Sequence, residues 1–250
     1  MAQQMLNAHL DPDSDLASRS ELKILEAVGW IDQHVELQGK SVCDLGCGPG
    51  LYTAHFHDRG AVVTGLDIST SSLTHAKAVA AQSKRSINYV EADYTKATLP
   101  QAMDVYTLIF CDYCGLSIEQ RASLLKRIRS SLTSDGRLVM DVYTLSAFDV
   151  FEEQSLIEDR LWNGFWAPGE YIGFMKSFKY NAEKVSLERY LLIEPDKHWE
   201  IYNWLQYFSF SSLQGELSQA GFEIEHHAGS LSGEAFGEES QLLALVARAV

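Results

Sequence analysis

Short apolar runs alternate with stretches of helical spacing over the first part of the chain. Runs of five to seven residues predict strands at 41–45, 61–66, 87–91, 105–111 and 137–142. Apolar residues three and four apart predict helices at 21–35, 51–59, 70–82 and 118–132. Alternation of strand and helix is typical of βαβ units. The pattern therefore predicts an α/β fold over 36–145, a doubly wound, mostly parallel sheet with helices on both faces.

The pattern changes after residue 145. Residues 146–208 hold 15 of the 27 aromatic residues, and their apolar runs predict antiparallel strands at 171–180, 185–193 and 199–208. A helix near 212–220 and strands near 222–226 and 242–247 follow. We therefore expect four segments: an N-terminal arm and helix (1–35), a first part of the sheet (36–145), an antiparallel, aromatic-rich insertion (146–208), and a last helix and strand pair (209–250). Within the arm, residues 1–20 are polar and turn-rich at 11–15, which suits a flexible arm or a flap.

The charge balance limits the partners. With 34 acidic and 20 basic side chains, the net charge of −14 repels phosphate backbones, so nucleic acid is not expected as a partner. No apolar window reaches the length of a membrane span, and the first ten residues lack the order of a secretion signal. These observations predict a cytoplasmic protein with no membrane partner.

The first predicted strand runs into Asp44-Leu-Gly-Cys-Gly-Pro-Gly50, and a helix follows directly. Glycines allow a ligand to approach the backbone, and the amides of the next helix offer a site for an anionic group. Asp67 ends the second strand, where a carboxylate accepts hydrogen bonds from the hydroxyls of a ribose. Asp93 ends the third strand, at the same edge of the sheet. This arrangement predicts a site for a cofactor that carries a nucleoside.

The spacing of the glycines separates two classes of nucleotide-binding protein. The dinucleotide fingerprint G-x-G-x-x-G would need glycine where the chain has Leu51, whereas Gly50 gives G-x-G-x-G preceded by Asp44. Together with Asp67 and the segment 91–93, this order resembles the class I S-adenosylmethionine-dependent methyltransferases. The resemblance covers 40–145 and 213–250. It implies a seven-stranded sheet whose last strand is antiparallel, with S-adenosylmethionine as the cofactor.

The resemblance also implies roles for individual residues. The glycine turn would lie along the methionine part of the cofactor, Asp67 would hold the ribose, Asp93 with Tyr94 would hold the adenine, and the segment 111–113 would line the site beside the sulfonium. The cofactor-binding residues expected on this basis are Asp44, Gly46, Cys47, Gly48, Gly50, Asp67, Ile68, Asp93, Tyr94, Cys111, Asp112 and Tyr113.

Methyl transfer from a sulfonium is an in-line displacement, so the protein mainly aligns the reactants and excludes water. A general base is needed only for an acceptor that arrives protonated. Tyr113 and His198 are the catalytic candidates, with Tyr143 and Glu170 as further ones, and each is also compatible with a packing or surface role. The tryptophans and tyrosines of the insertion suit either the core of its sheet or the wall of a substrate pocket.

The segment 110–113 has neither the Asn/Asp-Pro-Pro-Tyr/Phe run of amino-directed nucleic-acid methyltransferases nor the Pro-Cys of those acting on pyrimidine carbon. The absence of both motifs, together with the acidic net charge, favours a small molecule as the methyl acceptor. The atom that is methylated stays open. Zinc at the cysteines 43, 47, 111 and 114 is disfavoured because it would compete with the cofactor, so no metal is expected. An NAD-dependent oxidoreductase and a non-catalytic cofactor-binding protein remain as alternatives, and the oligomeric state is left open.

Overall fold

The computed structural model describes residues 2–10 and 18–250, so the turn-rich part of the predicted arm, 11–15, lies outside the described residues, whereas its first part is helical instead of irregular. The chain begins with helices α1 (Ala2–His9) and α2 (Glu21–Val35). The other helices are α3 (Leu51–Asp58), α4 (Thr70–Gln82), α5 (Ile118–Ser131), α6 (Leu145–Val150) and α7 (Phe210–Gln219).

Seven strands form the main sheet. They are β1 (Ser41–Leu45), β2 (Val62–Asp67), β3 (Asn88–Glu91), β4 (Met103–Leu108), β5 (Leu132–Tyr143), β10 (Phe222–Ala228) and β11 (Leu242–Ala249). Their order is β10-β11-β5-β4-β1-β2-β3. The strands from β1 to β5 pair in parallel, whereas β11 is antiparallel to both neighbours. This confirms the predicted doubly wound sheet and its reversed last strand.

Helices cover both faces of this sheet because its strand residues are apolar on both sides. One hydrophobic cluster joins Cys43 and Leu138 to α5 and α7, and another joins Val42 and Val139 to α2 and α3. Neighbouring residues of one strand therefore point to opposite layers, as expected for a buried parallel sheet. A capping box of Ser117 with Gln120 begins α5.

The insertion forms a second, antiparallel sheet of four strands in the order β6-β7-β8-β9. These strands are β6 (Ser155–Asp159), β7 (Ile172–Tyr180), β8 (Val185–Ile193) and β9 (His198–Gln206). Strand β6 and the short helix α6 are absent from the sequence prediction. Four of the five residues of β6 are exposed, so this edge strand lacks the apolar alternation that would mark it.

The insertion leaves the main sheet and returns to it at adjacent points. The Phe208 amide donates to the Tyr143 carbonyl at 2.9 Å, and the Leu145 amide donates to the Phe208 carbonyl at 3.1 Å. The small sheet is thereby held beside the carboxyl end of β5. No helix within residues 2–10 or 18–250 combines the length and apolarity that crossing a membrane requires.

Candidate active site

A cavity of about 960 Å³ lies between the carboxyl ends of the main strands and the small sheet. The predicted residues Gly46, Gly48, Asp67, Ile68, Asp93, Tyr94, Cys111 and Asp112 line it from the main sheet. A second cavity of about 80 Å³ adjoins the glycine turn and is lined by Asp44 and Cys47 among others. The structure thus brings ten of the predicted cofactor residues to one place.

The glycine turn is fixed by backbone hydrogen bonds to the end of β2. The amides of Gly46 and Cys47 both donate to the Leu66 carbonyl, at 2.8 and 3.0 Å. At Gly46, φ is +75° and a Cβ would lie 2.4 Å from Oδ2 of Asp112, so only glycine fits there. Gly50 borders neither cavity and instead packs closely on Tyr89.

The Asp67 side chain and the glycine turn stabilise each other through hydrogen bonds. Its Oδ2 accepts the Gly48 amide at 2.8 Å, and its Oδ1 accepts the Ser69 amide at 2.7 Å. The carboxylate is only partly buried and faces the larger cavity. Ile68 follows it with 71% exposure, so this apolar side chain is available to cover a flat ligand.

Asp93 and Tyr94 lie at the end of β3. Hydrogen bonds from Thr95 and the ammonium of Lys96 lower the pKa of Asp93 to about 2, so this group is ionised at neutral pH. The Tyr94 hydroxyl donates to Asp112 Oδ2 at 3.1 Å. Tyr94 therefore connects the adenine side predicted from the sequence with the end of β4.

Two buried carboxyls stand on either side of the turn. Burial raises the pKa of Asp44 to about 7, although Thr107 donates a hydrogen bond to it at 2.6 Å. Burial also raises the pKa of Asp112 to about 7, and the neighbouring Asp67 and Asp141 add to the effect. Carboxyls with such shifts occur more often at functional sites than elsewhere, so both mark this edge of the sheet as a candidate site.

The backbone is strained where β4 ends. Phe110 and Cys111 have φ of +71° and +60°, a conformation that side chains other than glycine rarely adopt, and both line the larger cavity. This is why β4 stops at Leu108 instead of reaching 111 as predicted. The Cys111 amide donates to Asp141 Oδ1 at 3.1 Å, which anchors the turn to β5.

Arg19 is a site residue that the sequence reasoning missed. Its Nη2 lies 2.5 Å from Oδ2 of the fully buried Asp141, and its guanidinium covers the Phe110 ring at 5.5 Å. Its Nε and the Tyr52 hydroxyl are buried and have no hydrogen-bond partner among the described residues. Tyr52 and Phe110 line the smaller cavity, so the unpaired hydroxyl stands beside it, and Arg19 adjoins it through the Phe110 ring. No local pattern singles out Arg19, because it precedes the first long helix.

The catalytic candidates do not converge on the cavity. Tyr113 is fully buried, and its hydroxyl donates at 2.6 Å to Glu216, which also pairs with Arg121. This geometry argues against a base role, because the hydroxyl serves a structural network on the side of α7. His198 begins β9 as an exposed residue outside the cavity, and Glu170 is likewise exposed outside it. Tyr143 alone of the four candidates lines the cavity.

The insertion supplies the other wall of the cavity. Of the aromatic residues predicted there, some line the cavity while Tyr171 and Trp199 pack in the core of the small sheet, so both interpretations hold in part. Strand β8 adds Glu188 and Tyr190, which the sequence reasoning missed although their i, i+2 spacing places them on one face of a strand. The insertion's cavity-lining residues are Trp162, Phe165, Trp166, Glu188, Tyr190, Ile201, Tyr202, Asn203 and Leu205.

All four cysteines are buried and reduced. Within the described parts of the chain, no group of three or more His, Cys, Asp or Glu side chains is arranged to hold a metal ion. Cys114 accepts the Tyr143 amide at 3.2 Å, and Cys111 lies 3.9 Å from Asp141, so these thiols belong to the packing around β5.

Comparison with known proteins shows which proteins the chain resembles. Residues 42–136 match a family model described as a methyltransferase domain. A ubiquinone biosynthesis O-methyltransferase of Stutzerimonas stutzeri is 36% identical over 101 residues, which are 40% of this chain and 43% of that protein. The chain therefore spans less than half the length of this relative.

Solved structures show the same fold over almost the entire chain. The CcbJ methyltransferase from Streptomyces caelestis superposes with a TM-score of 0.76 at 17% identity, covering 100% of this chain and 97% of that one. An S-adenosylmethionine-dependent methyltransferase from Clostridium acetobutylicum gives a TM-score of 0.75 at 12% identity, covering 97% of each chain. With its strand order, the chain has the fold of these S-adenosylmethionine-dependent methyltransferases, and its residues 42–136 resemble a methyltransferase domain.

Proposed function

We propose that this protein transfers a methyl group from S-adenosylmethionine to a small-molecule acceptor. The observation that carries the proposal is one continuous cavity with two different walls. The main sheet contributes a glycine turn and strand-end carboxylates, and the insertion contributes aromatic side chains. A cofactor seated at the first wall would present its methyl group to an acceptor held at the second.

The residues present fit this cofactor. Asp67 faces the cavity with a carboxylate whose orientation two backbone amides fix, as a ribose site requires. The buried Tyr52 hydroxyl lines the smaller cavity without a partner among the described residues and would hold the cofactor's carboxylate. Burial raises the pKa of Asp44 and of Asp112 to about 7, and a positively charged sulfonium bound near the turn would favour the ionised form of both.

When bound, the sulfonium would supply an electrophilic methyl group, and the loss of this group would convert the sulfonium into a neutral thioether. The protein then has to align the acceptor and exclude water, which the covering insertion accomplishes. For an acceptor that carries a proton, Asp112 and Glu188 are carboxylates that face the cavity and can receive it. Tyr143 lines the same cavity and orients the acceptor.

The relatives do not identify which atom of the acceptor is methylated. The curated relative named as an O-methyltransferase matches only 40% of this chain, so its acceptor says little about the insertion. A small-molecule acceptor remains the proposal, without a nucleic-acid or membrane partner. A cytoplasmic location remains a prediction from the sequence.

Calorimetric titration with S-adenosylhomocysteine tests the cofactor assignment. We expect S-adenosylhomocysteine to bind to the wild-type protein. Asp67→Ala should weaken the binding free energy by about 2 kcal/mol, roughly 30-fold in Kd, because the substitution removes both a charge-assisted contact and the support of the turn. Glu91→Ala is the matched control, since Glu91 ends β3 as an exposed acid outside the cavity. An unchanged Kd for Asp67→Ala, or binding of NADH but not of S-adenosylhomocysteine, would contradict the proposal.

A further inference from the structure

The larger cavity is acidic throughout. Asp67, Asp93, Asp112 and Glu188 line it, and the described lining residues include no lysine or arginine. His9 is the basic side chain among them, and burial lowers its pKa, which favours the neutral imidazole. A cavity with this charge repels carboxylates and phosphates and attracts cations.

Glu188 is the acid on the insertion's wall. It lies in the middle of β8, paired with Asn203 of β9 and Ser177 of β7. Its Oε2 accepts the Tyr190 hydroxyl at 3.1 Å and the Asn203 amide nitrogen at 3.2 Å. These donors fix the carboxylate in the cavity, while its Oε1 accepts no hydrogen bond from any described residue. An oriented carboxylate oxygen therefore remains available to a ligand.

Aromatic rings line the same wall of the cavity as this carboxylate. The Trp166 and Tyr190 ring centroids are 4.7 Å apart, and Phe165 meets Trp166 edge to face at 4.8 Å. Trp162 and Tyr202 complete the rim, each partly exposed at the mouth of the cavity. Ring faces attract cations as well as apolar groups, so they favour a positively charged group on an apolar frame.

We propose that the methyl acceptor is an amine on an apolar or aromatic frame, bound as its ammonium by the Glu188 carboxylate and the aromatic rings on the same wall of the cavity. The inference deepens the proposed function and rests on it. For transfer, the ammonium first loses a proton to a carboxylate or to water. The nitrogen lone pair then forms the N–CH3 bond while the C–S bond breaks, its electron pair goes to sulfur, and the methylated nitrogen carries the positive charge.

The charge of the cavity also disfavours acceptors that carry an acidic group. A phosphorylated or carboxylated molecule would meet the Glu188 carboxylate, and the described lining residues include no lysine or arginine to balance the two negative charges. A neutral phenol or alcohol would fit the rings but would not offset the charge of Glu188. The acceptor class is therefore amines without an acidic group near the reacting nitrogen.

Binding of charge-matched probes tests this inference in the presence of S-adenosylhomocysteine. Benzyltrimethylammonium carries a permanent positive charge, benzyl alcohol is neutral and benzoate is negative. We expect the cation to bind roughly tenfold more tightly than the alcohol, and benzoate to bind most weakly. Glu188→Gln keeps the shape of the side chain and removes its charge, so it should abolish the preference for the cation.

Glu200→Gln is the matched control, because Glu200 lies on the neighbouring strand, pairs with Arg189 and is outside the cavity. It should leave the preference intact, and circular dichroism should show both variants folded. Benzyl alcohol or benzoate binding as tightly as the cation, or a preference that survives Glu188→Gln, would overturn the inference. Titration of S-adenosylhomocysteine on the same samples separates this result from a failure of the proposed function itself, which would appear as loss of cofactor binding.

Discussion

The two walls of the cavity are built in different ways. The cofactor wall is made by backbone: amides of the glycine turn donate to Leu66 and Asp67, and positive φ angles set its path. The acceptor wall is made by side chains that project from β8 and β9 and from the loop before β7. A backbone site tolerates little change, whereas a side-chain site can exchange residues while its strands stay paired. The cofactor is thus fixed by the fold, and the acceptor is set by a few side chains.

Gly46→Ala should have the largest effect, because it disturbs the backbone wall directly. The new Cβ would lie 2.4 Å from Oδ2 of Asp112 at a φ of +75°. We expect a loss of about 2–3 kcal/mol in the free energy of unfolding, measured by urea denaturation. We also expect roughly 100-fold weaker binding of S-adenosylhomocysteine, equivalent to about 2.7 kcal/mol.

Gly39→Ala separates strain from collision. Gly39 has a φ of +76°, but a Cβ there would meet no described atom within 4 Å. This control should lose only about 1 kcal/mol and bind S-adenosylhomocysteine normally. If both variants behaved alike, the close approach of Gly46 to Asp112 would have no role in the site.

The same contrast explains what the sequence predicts. The bounds of β1 and α4 are predicted exactly by the residue pattern, and the glycine turn with Asp67 is found as expected. These features depend on short-range spacing, because consecutive βαβ units bring successive strand ends to one edge. Arg19 and Asp141 form their ion pair across 122 positions, and no local pattern reveals such a contact.

The direction of a side chain is the second feature that the residue pattern does not predict. Tyr113 follows two cavity residues, yet the short 3-10 helix Asp112–Gly115 turns its ring toward Phe208 and Arg121. Periodicity within the insertion predicts β7 to β9 but does not say which face meets the main sheet. Glu188 therefore emerges as a site residue only when the small sheet is placed against the cavity.

The buried acid Asp112 should make stability depend on pH, an effect of intermediate size confined to the cofactor wall. Its folded pKa of about 7 lies above the usual value of 3.8, so the folded state retains a proton that the unfolded chain has released. The contribution of this group to stability is therefore greatest below pH 4 and is lost as the pH rises toward 7. Asp112→Asn removes the titration, so its free energy of unfolding relative to wild type should rise by about 1–2 kcal/mol between pH 5 and pH 8.

Urea denaturation at both pH values measures this difference. Asp93→Asn is a suitable control, because the pKa of Asp93 is lowered to about 2 and the group stays ionised throughout this range. A constant difference between wild type and Asp112→Asn at pH 5 and pH 8 would show that Asp112 is already ionised in the folded protein.

The smallest effect is expected for Tyr190→Phe, which tests whether the two walls are independent. The substitution keeps the ring against Trp166 and removes the hydroxyl that donates to Glu188 at 3.1 Å. We expect a loss of about 1 kcal/mol in the free energy of unfolding, the net value of one hydrogen bond.

Tyr180→Phe is the control, since the Tyr180 hydroxyl bonds to no described residue, and the free energy of unfolding of this variant should stay within about 0.5 kcal/mol of wild type. The Kd for S-adenosylhomocysteine should stay unchanged in both variants, because the backbone wall makes no use of these hydroxyls. A tenfold weaker Kd for Tyr190→Phe would instead mean that the small sheet helps to hold the glycine turn in place, and the division between a fixed cofactor wall and an exchangeable acceptor wall would fail.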